Sequence, residues 1–466
     1  MRASLARAAR RFADIDWCAD ARSQGGSDLR KYDTDGEHIF RQESYFQWAF
    51  GVAEPGCYGI ISLASGAATL LVPRQPAEYA VWQGDVRSPD WFKARYGVDA
   101  VGYADQLNKT LTPMAPAWLH VLEGSNSDSG ADVAPTELPV LPPGLQFCFE
   151  DGAFTLLHDV MTRLRVVKTA AEVAVMRYAA DVTCAGHVAA MRAAKPGLRE
   201  FHLEATFLHA AAMRGCRLPA YTPIAAAGRN GAALHYGHAG APNDAELRAG
   251  DLALCDLGAE YHCYAADVTT TFPVSGRFTA LQAGVYAAVL AAQRAVLGAA
   301  KPGAHWPDMH ALAERTLLAG LLDAGLLRGD VDAMLDARLG GTFMPHGLGH
   351  LLGLDTHDVG GYMVGTPPRP EGPGRSRLRT ARVLMEGMVL TVEPGCYFND
   401  YLLDAALADP KLSAFLVPAA IAAARGFGGV RLEDNVLVTA AGVESLTRVP
   451  RDIAEVEAVM AGAAWP

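Results

Sequence analysis

Residues 251–273 read DLALCDLGAEYHCYAADVTTTFP, and the fold turns on how this stretch is laid out. Two β-like runs flank a polar Glu260-Tyr261-His262 turn, the pattern of a hairpin. With the hairpin axis between Tyr261 and His262, Asp256 and Asp267 are equidistant from it and lie opposite each other on one face. Opposed carboxylates repel and raise one pKa, unless a cation sits between them. The plainer alternative is a pair of exposed strand carboxylates. The neighbours Leu254, Cys255, Leu257, Ala265, Ala266 and Val268 are small or apolar. That weighs against full exposure and favours a metal or catalytic reading.

Further along, Pro345-His346-Gly-Leu-Gly-His350 is followed by Asp355 and His357. The two glycines argue against a continuous helix, and the helical zinc motif fails because position 347 is Gly rather than Glu. Glycine lets backbone approach a ligand closely, so a glycine-spaced histidine cluster favours function over structure. Glu393 ends the apolar run 388–392 and precedes Pro394-Gly395, which stops the strand and leaves the carboxylate at its tip. In the run 429–438, Arg431 and Glu433 share one strand face. Each of these acids alone reads as an ordinary strand-end charge.

Taken together, Asp256, Asp267, His350, Glu393 and Glu433 supply four carboxylates and one imidazole. Four negative charges match two divalent cations. Oxygen ligands with one nitrogen suit Mn2+, Co2+, Fe2+ or Zn2+. A two-metal site generates a hydroxide near neutral pH and clamps the attacked carbonyl, which is hydrolytic chemistry.

The 466-residue chain is long enough for two or three domains. Half of it is hydrophobic and 20% is charged, as in globular proteins. Its net charge of −11 gives it no electrostatic reason to grip nucleic acid. No stretch approaches the roughly 18–20 apolar residues of a membrane span; the best, 412–424, holds Ser413 and Pro418. The eight cysteines form no Cys-x-x-Cys pair, which fits reduced thiols in the cytoplasm. Arg2, Arg7, Arg10 and Arg11 precede any acid, so an organelle transit peptide is the alternative to a basic helix over residues 1–12. Residues 58–72 read as a hairpin broken at Gly66, 126–144 as a loop, and 161–167 as a short strand. Thr169-Ala-Ala-Glu172 then opens a helix as a capping box, so the boundary falls near 165. The expected architecture is α+β: a mixed α/β domain over 1–164, then a domain over 165–466. Helices are expected at 198–214, 280–298 and 307–325, and strands at 251–258, 264–272, 389–393 and 429–439. Residues 360–377, rich in Pro, Gly and Arg, form a long ordered loop of the kind that is usually functional.

The motifs resemble the pita-bread metallopeptidases, and within them the eukaryotic-type prolidase (Xaa-Pro dipeptidase) branch. The similarity runs from about Phe40 to Gly462. It is carried by FRQESYFQWAFGVAEPGCYG, LHYGHAGAPND, DLGAEYHCYAADVTTTFP, FMPHGLGHLLGLDTHDVGGY, LRTARVLMEGMVLTVEPGCYF and GFGGVRLEDNVLVT. The resemblance implies a catalytic pita-bread domain behind an N-terminal domain that forms a homodimer and covers the site. It implies two divalent ions, with Mn2+ favoured. Asp256 would hold one, His350 and Glu393 the other, and Asp267 and Glu433 would bridge them.

It also implies roles for the surrounding residues. His346 and His357 would position or protonate the substrate, and His235 would line the scissile side. Arg431 would orient Glu433 or bind substrate, and Tyr221 would stand in the substrate pocket. Arg379 would hold the free carboxylate of the dipeptide's proline; the alternative is that it is one of several surface arginines. A metal-bridging hydroxide would attack the carbonyl before proline, with Glu393 carrying the proton. The rival readings are an aminopeptidase P acting on longer Xaa-Pro peptides, a metal-free binding module and a creatinase-like hydrolase. The last two are disfavoured because all five ligands are present.

Overall fold

The computed structural model describes residues 19–62, 65–114, 118–133, 146–147 and 156–465, and the chain divides after Arg165 into two units. The basic helix expected over 1–12 lies outside the described residues, as does much of the loop expected over 126–144. The part of that loop at 126–133 turns between the paired Gly124–Ser125 and Asp132–Val133.

The first unit runs β1 (Ala19–Gln24), α1 (Ser44–Phe50), β2 (Tyr58–Ser62), β3 (Ala68–Val72), α2 (Pro89–Tyr96), β4 (Ala100–Tyr103), α3 (Leu107–Met114), β5 (Trp118–Val121), β6 (Gln146–Phe147) and α4 (Leu156–Val166). Its strands form one mixed sheet in the order β4-β3-β2-β1-β5-β6. The hairpin over 58–72 is its antiparallel β2–β3 pair, with Tyr58 opposite Leu71. Local chemistry sets the helix ends. Ser88 accepts the Trp91 amide at 3.2 Å, Pro89 stands in the first turn, and Gly97 closes α2 in the left-handed conformation. Of the strand expected over 161–167, residues 161–166 are instead the second half of α4, and Val167 forms a β-bridge with Met388. Leu157, Met161 and Leu164 are all buried and follow the i, i+4, i+7 spacing of a helix. A reading that starts at Met161 misses the first of them.

The second unit opens with α5 (Ala170–Ala193). Its reciprocal Thr169/Glu172 cap bonds the Glu172 amide at 3.3 Å and the Thr169 amide at 2.7 Å. There follow α6 (Glu200–Ala212), β7 (Leu218–Pro219), β8 (Ile224–Ala227), β9 (Leu252–Asp256), β10 (Ala259–Tyr261), β11 (Tyr264–Ala265), β12 (Thr269–Pro273), α7 (Ala280–Ala299) and α8 (Trp306–Asp323). Near the C-terminal end come β13 (Val389–Val392), β14 (Gly395–Tyr397), β15 (Gly429–Arg431) and β16 (Asp434–Val438). The pairs β8–β9, β9–β12, β13–β16 and β14–β15 are all antiparallel. The strand expected over 429–439 is interrupted at Leu432-Glu433. Long helices cover the sheets, α5 packing on α6 and α7 on α8. Phe207, Phe272 and Trp306 are wholly buried in the common core, and each such side chain contributes about 1.5–3 kcal/mol. By length and composition alone α7 is apolar enough to cross a membrane, contrary to the sequence reading. Half of its apolar window is buried in the protein, as in a core helix.

Candidate active site

The hairpin that carries the two aspartates is present, but its axis lies one residue further along. Tyr261 pairs with Tyr264, so the turn is His262-Cys263, and both residues have positive φ (47° and 67°). That is the geometry of a two-residue primed turn, usually built from Asn and Gly, which is why His-Cys hides it. Asp256 is therefore opposite Thr269, not Asp267. The Leu257 amide still donates to Val268 O and the Ala266 amide to Ala259 O (3.1 and 3.0 Å), so the register carries across the break between the two strand pairs. Asp256 and Asp267 are diagonal neighbours on the same face, within electrostatic reach of each other.

The other acids reach this face from a second layer. Segment 348–351 runs beside β13. The Glu393 amide donates to Leu348 O (2.8 Å) and the Thr391 amide to His350 O (2.9 Å). A Cβ on Gly349 would lie 2.1 Å from Thr391 O, so glycine is obligatory there. The His350 Nδ1–H donates to Leu351 O at 2.9 Å, because a carbonyl can only accept. Its Nε2 therefore faces the carboxylates of Asp267 at 3.3 Å and Glu393 at 3.6 Å. Ligand atoms of Asp267, His350 and Glu433 all lie within 4.8 Å of one another, and all three residues are buried. Thr269 Oγ1 donates to Glu433 (2.7 Å), and Thr391 Oγ1 donates to Glu393 (3.2 Å).

Asp256 is held differently. The Tyr221 hydroxyl donates to Oδ1 at 2.6 Å, and Arg431 Nη2 to Oδ2 at 2.5 Å. Arg431 also donates from Nε to Thr269 Oγ1 (3.0 Å) and from Nη1 to the Tyr397 hydroxyl (2.7 Å). It is 4% exposed. Arg431 thus reaches Glu433 through Thr269, and its direct carboxylate partner is Asp256. His346 Nδ1–H donates to Gly347 O (2.8 Å), so its Nε2 accepts from the Tyr397 hydroxyl (3.0 Å). Its Nδ1 also lies 3.7 Å from Glu393. Tyr397, Thr269 and Thr391 escaped the sequence reading. Tyr397 stood inside the quoted EPGCYF motif, but its partners come from pairing β14 with β15 across 31 intervening residues.

His357 stacks edge-on against His350, ring centroids 4.5 Å apart. Burial lowers the pKa of His357, followed by the charges of His350 and Arg379; burial, Arg379 and Arg431 lower that of His235. Arg379 is therefore within electrostatic reach of both histidines. Burial also pushes His346 down to about 3, helped by Arg431, so it is neutral at physiological pH. Burial and then the charges of Asp267, Glu393 and Asp256 raise Glu433 well above the carboxylate range. Burial raises Asp256 to about 7, with Arg431 opposing.

These residues fit divalent cations. Asp267 Oδ1 is buried without a hydrogen-bond partner. A neutral His350 aims its Nε2 lone pair at two carboxylates, an arrangement that repels unless a cation or proton lies between. The mutual repulsion that raises Glu433 is what such an ion removes. Oxygen-rich donors with one imidazole suit first-row divalent metals.

Residues 174–440 match metallopeptidase family M24, and residues 22–118 match the aminopeptidase P N-terminal domain. The chain is 50% identical to human Xaa-Pro dipeptidase over 440 residues, 94% of this chain and 88% of the relative. Among solved structures, Pseudomonas aeruginosa aminopeptidase PepP superimposes with a TM-score of 0.79 at 32% identity, covering 99% of this chain and 98% of its own. Zinc-substituted E. coli aminopeptidase P in complex with product gives 0.78 at 28%, covering 100% and 99%. Identity over nearly the whole length, together with a shared three-dimensional arrangement, settles the placement: the chain belongs to metallopeptidase family M24, with the pita-bread fold behind an aminopeptidase P N-terminal domain.

Proposed function

We propose that this protein is a metal-dependent Xaa-Pro dipeptidase. Support comes from the 50% identity to a relative of that name and from one observation within the site. The Arg379 guanidinium lies within electrostatic reach of both His235 and His357, and His357 stacks on His350 of the cluster. Asp256, Asp267, His350, Glu393 and Glu433 would hold two divalent ions, with Mn2+ preferred for this oxygen-rich set. When bound, such ions supply Lewis-acid polarisation and lower the pKa of water.

The chain's own residues do the rest. Arg379 pairs with the free carboxylate of the terminal proline, and a guanidinium suits a planar carboxylate. A longer peptide would carry its next residue into that arginine. His235 and His357, held neutral, donate ring N–H groups to the substrate carbonyl oxygen. Glu393 takes a proton from the attacking water and returns it to the proline nitrogen as the C–N bond breaks. Tyr397 holds His346 in its Nδ1–H tautomer beside Glu393. We further propose a homodimer in the cytoplasm.

Aminopeptidase P is the second reading, favoured by the names of the solved relatives. The test compares Gly-Pro with Gly-Pro-Ala on enzyme stripped of metal and reloaded with Mn2+. Preference for the dipeptide, lost in Arg379→Ala, supports the dipeptidase. Equal turnover of both substrates, unchanged by the substitution, makes it an aminopeptidase.

A further inference from the structure

The loop over 360–377 contributes no ligand to the acid cluster, yet two of its polar side chains converge on one backbone atom. The Tyr362 hydroxyl donates to Leu378 O at 2.7 Å, and Arg369 Nη1 donates to the same oxygen at 2.5 Å. The Arg369 guanidinium lies over the Tyr362 ring, 4.4 Å from its centroid, so the two donors brace each other. Leu378 O belongs to the peptide group whose nitrogen is that of Arg379. Fixing this carbonyl fixes the plane from which the Arg379 side chain departs.

The flanks are pinned as well. The Leu378 side chain is wholly buried. Arg379 O crosses so close to Gly361 that a Cβ there would sit 2.1 Å from it. Thr380 Oγ1 donates to Gly361 O (3.2 Å), and Arg382 Nη1 to Gly360 O (2.9 Å). On the far side, Arg375 donates twice to Glu314 on α8, from Nε at 3.2 Å and Nη2 at 3.1 Å. The loop is thus closed on the segment that follows it and tied to a core helix.

An arginine that donates to a backbone carbonyl makes a charge-assisted bond, and together with the Tyr362 hydroxyl it gives Leu378 O two side-chain donors. An arginine that recognises a carboxylate is useful only when held within a fraction of an ångström of its working position.

We infer that Tyr362 and Arg369 are positioning residues that set selectivity for a free C-terminal carboxylate by immobilising the Leu378–Arg379 peptide. The inference rests on the dipeptidase reading and adds to it. Arg379 makes the contact, and Tyr362 and Arg369 decide how well it is made. Neither touches substrate in this scheme, so substrates without the carboxylate should not register their loss.

The experiment measures kcat and KM for Gly-Pro and Gly-Pro-amide with wild type, Arg369→Ala, Tyr362→Phe, Arg379→Ala and the Arg369→Ala/Arg379→Ala double variant, all loaded with Mn2+. Tyr362→Phe keeps the ring and loses only the hydroxyl, so it guards against a folding defect in Arg369→Ala. Expected is a KM for Gly-Pro raised about tenfold by Arg369→Ala and about threefold by Tyr362→Phe. In both, kcat stays within about twofold and Gly-Pro-amide is unaffected. In the Arg379→Ala background, Arg369→Ala adds nothing further, because the two act as one unit. The inference is overturned alone if wild type prefers the free carboxylate through Arg379 while Tyr362→Phe and Arg369→Ala keep that preference. It is also overturned alone if they weaken both substrates equally. If wild type shows no preference for Gly-Pro over its amide, the dipeptidase reading falls first and takes this inference with it.

Discussion

Two sides of the site are built by opposite means. The acids stand on or beside paired strands: Asp256 ends β9, Glu393 follows β13 and Glu433 precedes β16. Arg379 stands in chain without regular structure, held by side chains of the preceding loop. The difference follows from what each side must resist. Four carboxylates brought together repel, and only backbone ladders and buried donors keep them in place. One half-exposed guanidinium meets no such repulsion and can be placed by a few side-chain bonds. Chemistry is thus fixed by register, and selectivity by a replaceable clasp.

Substitutions on the two sides should sort accordingly. The largest effect is expected on the strand side. Asp267→Asn removes one charge from the buried cluster and should lower turnover on the order of a thousandfold, on dipeptide and amide alike. Elemental analysis after dialysis should show lost metal; full metal content with full activity would break the comparison. Tyr397→Phe is next. It frees His346 Nε2 and Arg431 Nη1 and should lower kcat about tenfold on both substrates. A loss confined to KM for free dipeptides would instead move Tyr397 to the selectivity side.

The smallest effect on turnover comes from a buried group that touches no substrate. His187 on α5 donates from Nε2 to Leu257 O and accepts from Thr270 Oγ1 at Nδ1, both at 2.9 Å, which ties the helix to the aspartate hairpin. Burial pushes its pKa from 6.5 down to about 4. Because the folded state disfavours the proton, the unfolded chain binds it first. The stabilisation is present above pH 6.5 and is lost as pH falls from 6.5 to about 4. His187→Gln should flatten the acid side of the profile of unfolding free energy against pH by at most about 3 kcal/mol, with neutral-pH turnover unchanged. A profile as steep as wild type's would show that other groups set the acid limit.

What the sequence discloses follows the same divide. Asp256, Asp267, Glu393 and Glu433 are visible because polar residues interrupt apolar strand runs, and the Thr169 cap is visible because its two partners are three residues apart. The hairpin register is one residue off because His262-Cys263 lacks the usual turn residues. α4 is hidden because Leu157, the first of its buried positions named above, lies before the β-like run at 161–167. Arg379 is suggested by its motif, but nothing local ties it to Tyr362 or Arg369. The Tyr397–Arg431–Asp256 chain depends on pairings between distant strands, which no local period announces.

The displaced hairpin axis also limits how this chain can change in length. One register runs from the tip at 262–263 back through Asp256 and Thr269. One residue added to either arm between tip and aspartate would turn one carboxylate to the opposite face. Residues added at the tip itself leave every pair behind it in register. Length added at His262-Cys263 is therefore the kind of change that keeps both aspartates on one face.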